Sequence, residues 1–169
     1  MPSSPDSPLP YMLAYHHWAT LELIAFCEAQ PATVLEAARP GVYGTIPATL
    51  AHLVASERNF LLALLQREPE GVPAADDAMP LARTAEVARA LAARWQAYAA
   101  NPEPVDTVRV HPRGAVRIAP ILAQTMNHGS EHRAEVATIL GASGIQPPTV
   151  HPWAYEFMLQ ALAGGPPTP

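Results

Sequence analysis

The sequence predicts an all-α fold, and two observations support this prediction. Its apolar residues recur at spacings of three and four, which is typical of helices with one buried face. Prolines interrupt helices, and here they occur in clusters. The stretches between these clusters are long enough to form helices. The twenty prolines cluster near residues 2–10, 31–47, 69–80 and 102–120 and from 147 onward. We therefore predict five helices, at about 9–29, 46–66, 84–100, 118–141 and 151–163.

The second predicted helix shows the pattern most clearly. Thr45 is suited to cap its first turn, and Pro47 fits there because the backbone N–H groups of a first turn have no partner within the helix. One apolar stripe follows, formed by Leu50, Leu53, Val54, Phe60, Leu61, Leu64 and Leu65. We predict that Thr84 caps the third helix and that the fourth helix ends at Gly141.

Two connections between the predicted helices are long. Residues 67–83 are rich in Pro, Ala and Asp, and we predict a surface loop there. Residues 106–118 alternate apolar and polar side chains on both sides of His111-Pro112-Arg113-Gly114, which predicts a short β-hairpin.

Length and composition indicate a single domain over residues 1–169, with flexible tails at 1–8 and 164–169. Hydrophobic residues make up 49% of the 169 residues and charged residues 15%, which is enough to bury a sizeable core. The net charge is −5 and the ten basic residues, all arginine, are scattered, which argues against a nucleic-acid partner.

The sequence also carries expectations about location. No stretch reaches the ~20 apolar residues that a membrane span needs, and the N-terminus does not read as a secretory signal. Cys27 is the only cysteine, so no internal disulfide can form, and we interpret it as a small core residue. We therefore expect a cytoplasmic protein with no membrane partner.

His128 and His132 are spaced for metal binding, because four residues bring both imidazoles to one face of a helix. That face is the apolar one, since it also carries Ile121, Thr125, Val136 and Ile139. Gln124 and Glu135 lie at similar angles, whereas Met126 and Arg133 are expected to point elsewhere. Two buried imidazoles need partners, and a metal ion supplies one. The alternative is a pair of hydrogen-bonded or exposed histidines.

His52 is the best candidate for a third ligand. It lies at the edge of the leucine stripe, on a face with Thr49, Ser56 and Ala63, whose small side chains would let another helix approach closely. Three histidines leave an open position for water or substrate.

Glu57 lies within the leucine stripe, where an acid is unusual. It is a partner for an imidazole N–H, a buried hydrogen-bond acceptor or a solvated charge at the bundle end. The remaining histidines are given ordinary roles: His16 and His17 in the interior or on the surface, and His111 and His151 exposed.

Four segments resemble the DinB/YfiT-like superfamily of bacterial damage-inducible and thiol-transferase proteins. They occur in the family's order along nearly the whole chain. The four segments are Tyr15-His16-His17-Trp18-Ala19, Ala51-His52-Leu53-Val54-Ala55-Ser56-Glu57-Arg58, Asn127-His128-Gly129-Ser130-Glu131-His132-Arg133 and Pro152-Trp153-Ala154-Tyr155.

The resemblance implies an up-down-down-up four-helix bundle with a long crossover, to which the fifth predicted helix adds a C-terminal helix. It implies a divalent metal, zinc or nickel, at His52, His128 and His132, and often a homodimer. Characterised relatives transfer or isomerise small electrophilic molecules with a low-molecular-weight thiol such as bacillithiol, mycothiol or glutathione. The residues Glu57, Gln124 and Glu135 would then support the site. One departure is the segment after His132, which runs Arg133-Ala134-Glu135 where the family often has Arg-Gly-Gln.

Three functions remain open from the sequence. The first is a metal-dependent thiol S-transferase, in which the metal activates the thiolate. The second is a metal-binding stress-response protein without catalysis. The third is a hydrolase of the H-x-x-E-H type with Glu131 as general base, which a small bundle without an evident peptide cleft does not favour.

Overall fold

The computed structural model describes residues 7–112 and 114–164. Its elements are helix α1 (Leu9–Glu28), the single-turn helix α2 (Ala32–Leu35), α3 (Ile46–Leu65), α4 (Leu81–Ala100), strands β1 (Val108–His111) and β2 (Gly114–Arg117), α5 (Ile118–Ala142) and α6 (Pro152–Leu162). The five predicted helices and the hairpin are confirmed. Helix α2 was not predicted, because four residues carry too little periodicity. The predicted tails lie mostly outside the described residues, as does Arg113 in the predicted turn.

The starts of the helices follow local chemistry, with one correction. The Thr45 hydroxyl accepts a hydrogen bond from the Ala48 N–H at 3.4 Å, as expected for the cap of α3. The prediction that Thr84 caps the next helix was wrong. Helix α4 begins at Leu81, after Pro80, and the buried Thr84 hydroxyl donates back to the Pro80 carbonyl at 3.1 Å. A threonine can make this bond inside a helix, so its presence did not mark the start.

The four long helices α1, α3, α4 and α5 form an up-down-down-up bundle. Helices α3 and α5 are antiparallel, because the earlier residue His52 meets His132 whereas the later residue Phe60 meets His128. Helices α1 and α4 are also antiparallel, since Gln96 near the end of α4 donates to the Pro10 carbonyl at the start of α1.

Helices α3 and α4 run in the same direction, which requires a long crossover. Residues 66–80 provide it by returning along α3. Arg58 donates to the Pro73 carbonyl, and further along the loop Asp77 reaches His52 in the first half of the helix. The predicted surface loop is therefore the crossover itself. Most of it is exposed, but Val72 and Met79 are buried against the core.

The β-hairpin lies against the end of α3. Its strands are antiparallel, with Val110 opposite Ala115. The Gln66 side chain both donates to the Val110 carbonyl (3.0 Å) and accepts from its N–H (3.1 Å). Arg109 donates to the Leu64 carbonyl at 2.6 Å. The Arg109 bond satisfies a carbonyl group that the end of a helix leaves unpaired, and the Gln66 bonds pair the backbone of β1.

The core is continuous through the bundle and consists of aliphatic side chains around one tryptophan. Its largest fully buried side chains are Trp95, Leu13, Leu23, Ile24, Ile46, Leu50, Leu53, Leu61, Leu64, Leu91, Ile118 and Ile139. Phe60, at the edge of the α3 stripe, is only partly buried and faces α5. Within residues 7–112 and 114–164, no helix combines the length and apolar character needed to cross a membrane.

Candidate metal centre

Three histidines meet where α3 packs against α5. His52 comes from α3, and His128 and His132 lie one turn apart on α5. One ring nitrogen from each lies within 4.8 Å of the other two. The two α5 side chains are buried, each 8% exposed, whereas 24% of the His52 side chain is exposed. The group is therefore closed on the α5 side and accessible from the His52 side.

Two of the three imidazoles are oriented by carboxylates. Asp77 Oδ2 lies 3.1 Å from His52 Nδ1, and Glu135 Oε2 lies 2.7 Å from His132 Nδ1. A carboxylate accepts hydrogen bonds, so each Nδ1 carries the proton and each Nε2 keeps a lone pair. This pairing fixes the tautomer of a metal-binding histidine and increases its basicity.

Tyr43 and Asp77 complete the exposed side of the group, and neither was predicted. The Tyr43 ring stacks on His52, with ring centroids 4.0 Å apart and planes within 16°. Its hydroxyl donates to Asp77 Oδ2 at 2.9 Å. Burial alone would raise the pKa of Asp77, but hydrogen bonds from His52 and Tyr43 outweigh it and lower that pKa. Asp77 therefore stays ionised and able to hold His52. Both residues lie outside the long helices, where no periodicity marks them.

His128 is held as a neutral imidazole. Burial lowers its pKa to about 4, and the neighbouring His132 and His52 add to the effect. Its Nε2 lies 3.1 Å from Nε2 of His132. Because His132 keeps a lone pair on that nitrogen, either His128 donates a proton to it or both nitrogens face a common cation. Three imidazoles are a donor set that suits zinc and related divalent metals.

The predicted supporting residues take different places. Glu135 contacts His132, as described. Gln124 is exposed and lines a groove of about 1000 Å³ between α3, the start of α5 and the hairpin. The Phe60 ring also lines this groove and meets His128 edge-on, with centroids 5.5 Å apart. Gln124 therefore belongs to a groove that meets the histidine group only through Phe60.

Glu57 is a buried hydrogen-bond acceptor, one of the three roles considered for it. It is 1% exposed, and its partners are on α1: His16 Nε2 contacts one oxygen, and His17 Nε2 lies 3.5 Å from the other. Burial alone would raise the pKa of Glu57, but His16 and His17 outweigh it and hold that pKa well below its usual range. Glu57 thus contacts none of the three metal-candidate histidines directly.

Arg133 points away from the face of His128 and His132, as expected from its angle on the helix. Its side chain is buried between α5 and α1, and its Nη1 group contacts His16 Nδ1 (3.3 Å), the His16 carbonyl (3.4 Å) and the Thr20 hydroxyl (3.1 Å). A second partner helix covers this face of α5. Gly129 lies beneath the same contact, since a Cβ there would stand 2.2 Å from His16 Cε1.

The cluster of His16, His17 and Glu57 is a second group whose ligand atoms converge within 4.8 Å. The contacts of His16 in this cluster fit a hydrogen-bonded network better than a cation site. Arg133 donates to His16 Nδ1, so His16 is neutral and its Nε2–H donates to Glu57. A metal at that nitrogen would require the opposite tautomer facing the arginine, and its charge would add to the buried guanidinium.

Fold and site together define an up-down-down-up helical bundle with a candidate three-histidine metal centre. The chain matches the model of the DinB family over residues 1–162. It belongs to the DinB family. No curated protein matches the chain.

Proposed function

We propose that this protein binds one divalent metal ion through His52, His128 and His132 and uses it to transfer a low-molecular-weight thiol to a small electrophile. The observation that best supports the metal site is that two of its imidazoles are hydrogen-bonded to carboxylates. Asp77 and Glu135 direct the Nε2 lone pairs of His52 and His132 toward one region, beside the neutral His128. Zinc or nickel is the expected occupant.

The residues of the site have separate tasks in this proposal. The three histidines bind the ion and leave a position on the exposed His52 side. A divalent metal there would lower the pKa of a coordinated thiol and favour the thiolate at neutral pH. Asp77 and Glu135 already accept hydrogen bonds from imidazole N–H groups, so they hold the ligands in place and the thiol proton passes to solvent.

The groove lined by Phe60, whose ring contacts His128, supports the proposal of a small organic substrate. Phe60, Val110 and Pro112 give it an apolar wall, and Asn59 and Gln124 add amide groups. Its volume of about 1000 Å³ is in the range of small-molecule sites. The choice of thiol rests on the family resemblance, as do the homodimer and the role in stress response, whereas the cytoplasmic location rests on the single cysteine and the lack of a secretory pattern.

A metal-binding protein without catalysis is the second candidate, because the carboxylate-backed histidines would serve it equally well. The hydrolase hypothesis has less support. Glu131 is exposed on α5 and does not belong to the converging group that would hold the metal.

Metal titration of the purified protein tests the first half of the proposal. We expect one ion per chain by calorimetry and elemental analysis. His132→Ala should weaken binding by at least about 100-fold, more than the loss of a supporting residue costs. His151→Asn is the matched control, because His151 is exposed and asparagine can still cap α6. Unchanged affinity in His132→Ala would refute the assignment.

Turnover assays test the second half. Bacillithiol, mycothiol and glutathione are each offered with 1-chloro-2,4-dinitrobenzene, where a carbon–sulfur bond forms, chloride leaves and the thiol proton goes to solvent. We expect turnover with one thiol that disappears on chelation and in His52→Ala but persists in His151→Asn. Metal binding without turnover by any of the three thiols would contradict thiol transfer and favour the non-catalytic alternative.

A further inference from the structure

A second cavity lies on the side of α5 that faces away from the three histidines. It has a volume of about 630 Å³, is open to solvent and is lined by residues of α1, α5 and the start of α6. Ser130 lies in its wall, two residues and about 200° around the helix from His128. The cavity is therefore separate from the candidate metal centre and from the groove beside Phe60.

The cavity combines apolar walls with one buried cation. Tyr11, Tyr15 and Met126 provide apolar and aromatic surface, and Asn127 and Ser130 provide polar groups. Arg133 also lines it and is only 7% exposed. Aromatic rings and a guanidinium that line the same cavity are suited to a molecule with an apolar body and an anionic group.

The Arg133 guanidinium has no carboxylate partner within the part of the chain that the structure describes. No acidic oxygen there lies within 4.0 Å of it, and its Nη1 group contacts only His16 and Thr20. The nearest buried acid, Glu57, is separated from it by the neutral His16 ring. Tyr15 is a further hydrogen-bond partner of the guanidinium. A guanidinium carries five N–H donors, so the contacts with His16, Thr20 and Tyr15 leave donors for a ligand.

We propose that this cavity binds a small organic acid, with its carboxylate on Arg133 and its apolar body against Tyr11, Tyr15 and Met126. The planar guanidinium matches a carboxylate in two parallel hydrogen bonds. An incoming anion would also offset a charge that is costly to bury unpaired. The rim carries Glu156, which accepts a hydrogen bond from Tyr11 at 3.3 Å, so a monoanion fits better than a dianion.

Benzoate and benzamide test the proposal, because they share a shape and differ in charge. Binding to the protein as purified is followed by nuclear magnetic resonance, with the Arg133 Nε–H signal as the reporter. We expect benzoate to shift this signal and to bind at least about tenfold more tightly than benzamide, as charge-assisted bonds predict. Equal affinities for benzoate and benzamide would overturn the proposal. So would the absence of benzoate binding at about 20 mM, a concentration on the order of the dissociation constants of very weak specific sites.

Three variants locate the binding. Ser130→Trp should fill the cavity and weaken benzoate binding at least about tenfold, whereas Ala134→Trp, also exposed on α5 but outside the cavity wall, should not. His132→Ala should leave benzoate binding intact. Benzoate binding that survives Ser130→Trp but is lost in His132→Ala would place the acid on the metal group and refute the proposal.

Discussion

Replacing Gly129 with alanine should destabilise the protein, although alanine is the better helix former by about 1 kcal/mol. The new Cβ would stand 2.2 Å from His16 Cε1 and 3.0 Å from Arg133 Nη1. The His16 ring cannot easily turn away, because one nitrogen contacts Glu57 and the other Arg133. Overpacking costs about 1–3 kcal/mol, and weakening the buried contact of Glu57 adds part of the roughly 3–5 kcal/mol that a broken buried pair costs. We expect a net loss of about 2–4 kcal/mol.

Urea unfolding in the presence of a chelator measures this loss without a contribution from bound metal. Gly141→Ala is the matched control, since Gly141 lies in the same helix, is exposed and has nothing within 4 Å of an added Cβ. It should be unchanged or more stable by up to about 1 kcal/mol. If Gly129→Ala is as stable as the parent protein, His16 is not packed against α5 as described, and the network of Glu57 and Arg133 loses its basis.

Two further predictions concern the candidate metal centre. Asp77→Ala should weaken metal binding about 10- to 100-fold, measured in competition with a chromophoric chelator. Asp106→Ala, on the exposed surface, should not change the affinity. Equal metal affinities of Asp77→Ala and the parent protein would show that Asp77 does not orient His52. The metal-free protein should lose stability as the pH falls from 6.5 toward 4, because the pKa of His128 is near 4 when folded and 6.5 when unfolded, so the unfolded chain takes up the proton first. The slope should not exceed about 1.4 kcal/mol per pH unit for this one group. Glu57, whose pKa is lowered on folding, adds a further loss below its ordinary value of 4.5. Urea midpoints that stay constant from pH 6.5 to 4 would contradict the burial of both groups.

Local chemistry made much of the fold predictable. The start of α3 follows from Thr45 and Pro47, and the prolines that interrupt the other helices bound them closely. The inward direction of His128 and His132 follows from helical geometry alone, because their neighbours at three- and four-residue spacing are apolar. Both side chains are accordingly buried. Where a property depends on residues close in sequence, the pattern was sufficient.

The missing parts of the site depend on contacts between distant segments. Asp77 reaches His52 only because the crossover returns along α3, and Tyr43 meets both from the loop before that helix. Neither has a periodic pattern to mark it. The burial of Arg133 could not be predicted for a related reason. Its angle on α5 is correct, but a helix angle does not show that α1 covers that face.

The segment from His128 to Arg133 serves two neighbouring faces of α5. Residues 128 and 132 face α3 and its His52, whereas residues 129 and 133 face α1 and its His16.

Glu57 links these two faces, because it sits on α3 five residues after His52 and contacts His16 on α1. The network therefore fixes the position of α3 relative to α5, and with it the convergence of His52 on the two α5 histidines. Gly129→Ala should for this reason weaken metal binding as well as stability, although Gly129 is not itself one of the converging groups. Gly141→Ala should leave the affinity unchanged in the same chelator competition. A loss of stability in Gly129→Ala with the metal affinity intact would show that the network stabilises the bundle without positioning its metal ligands.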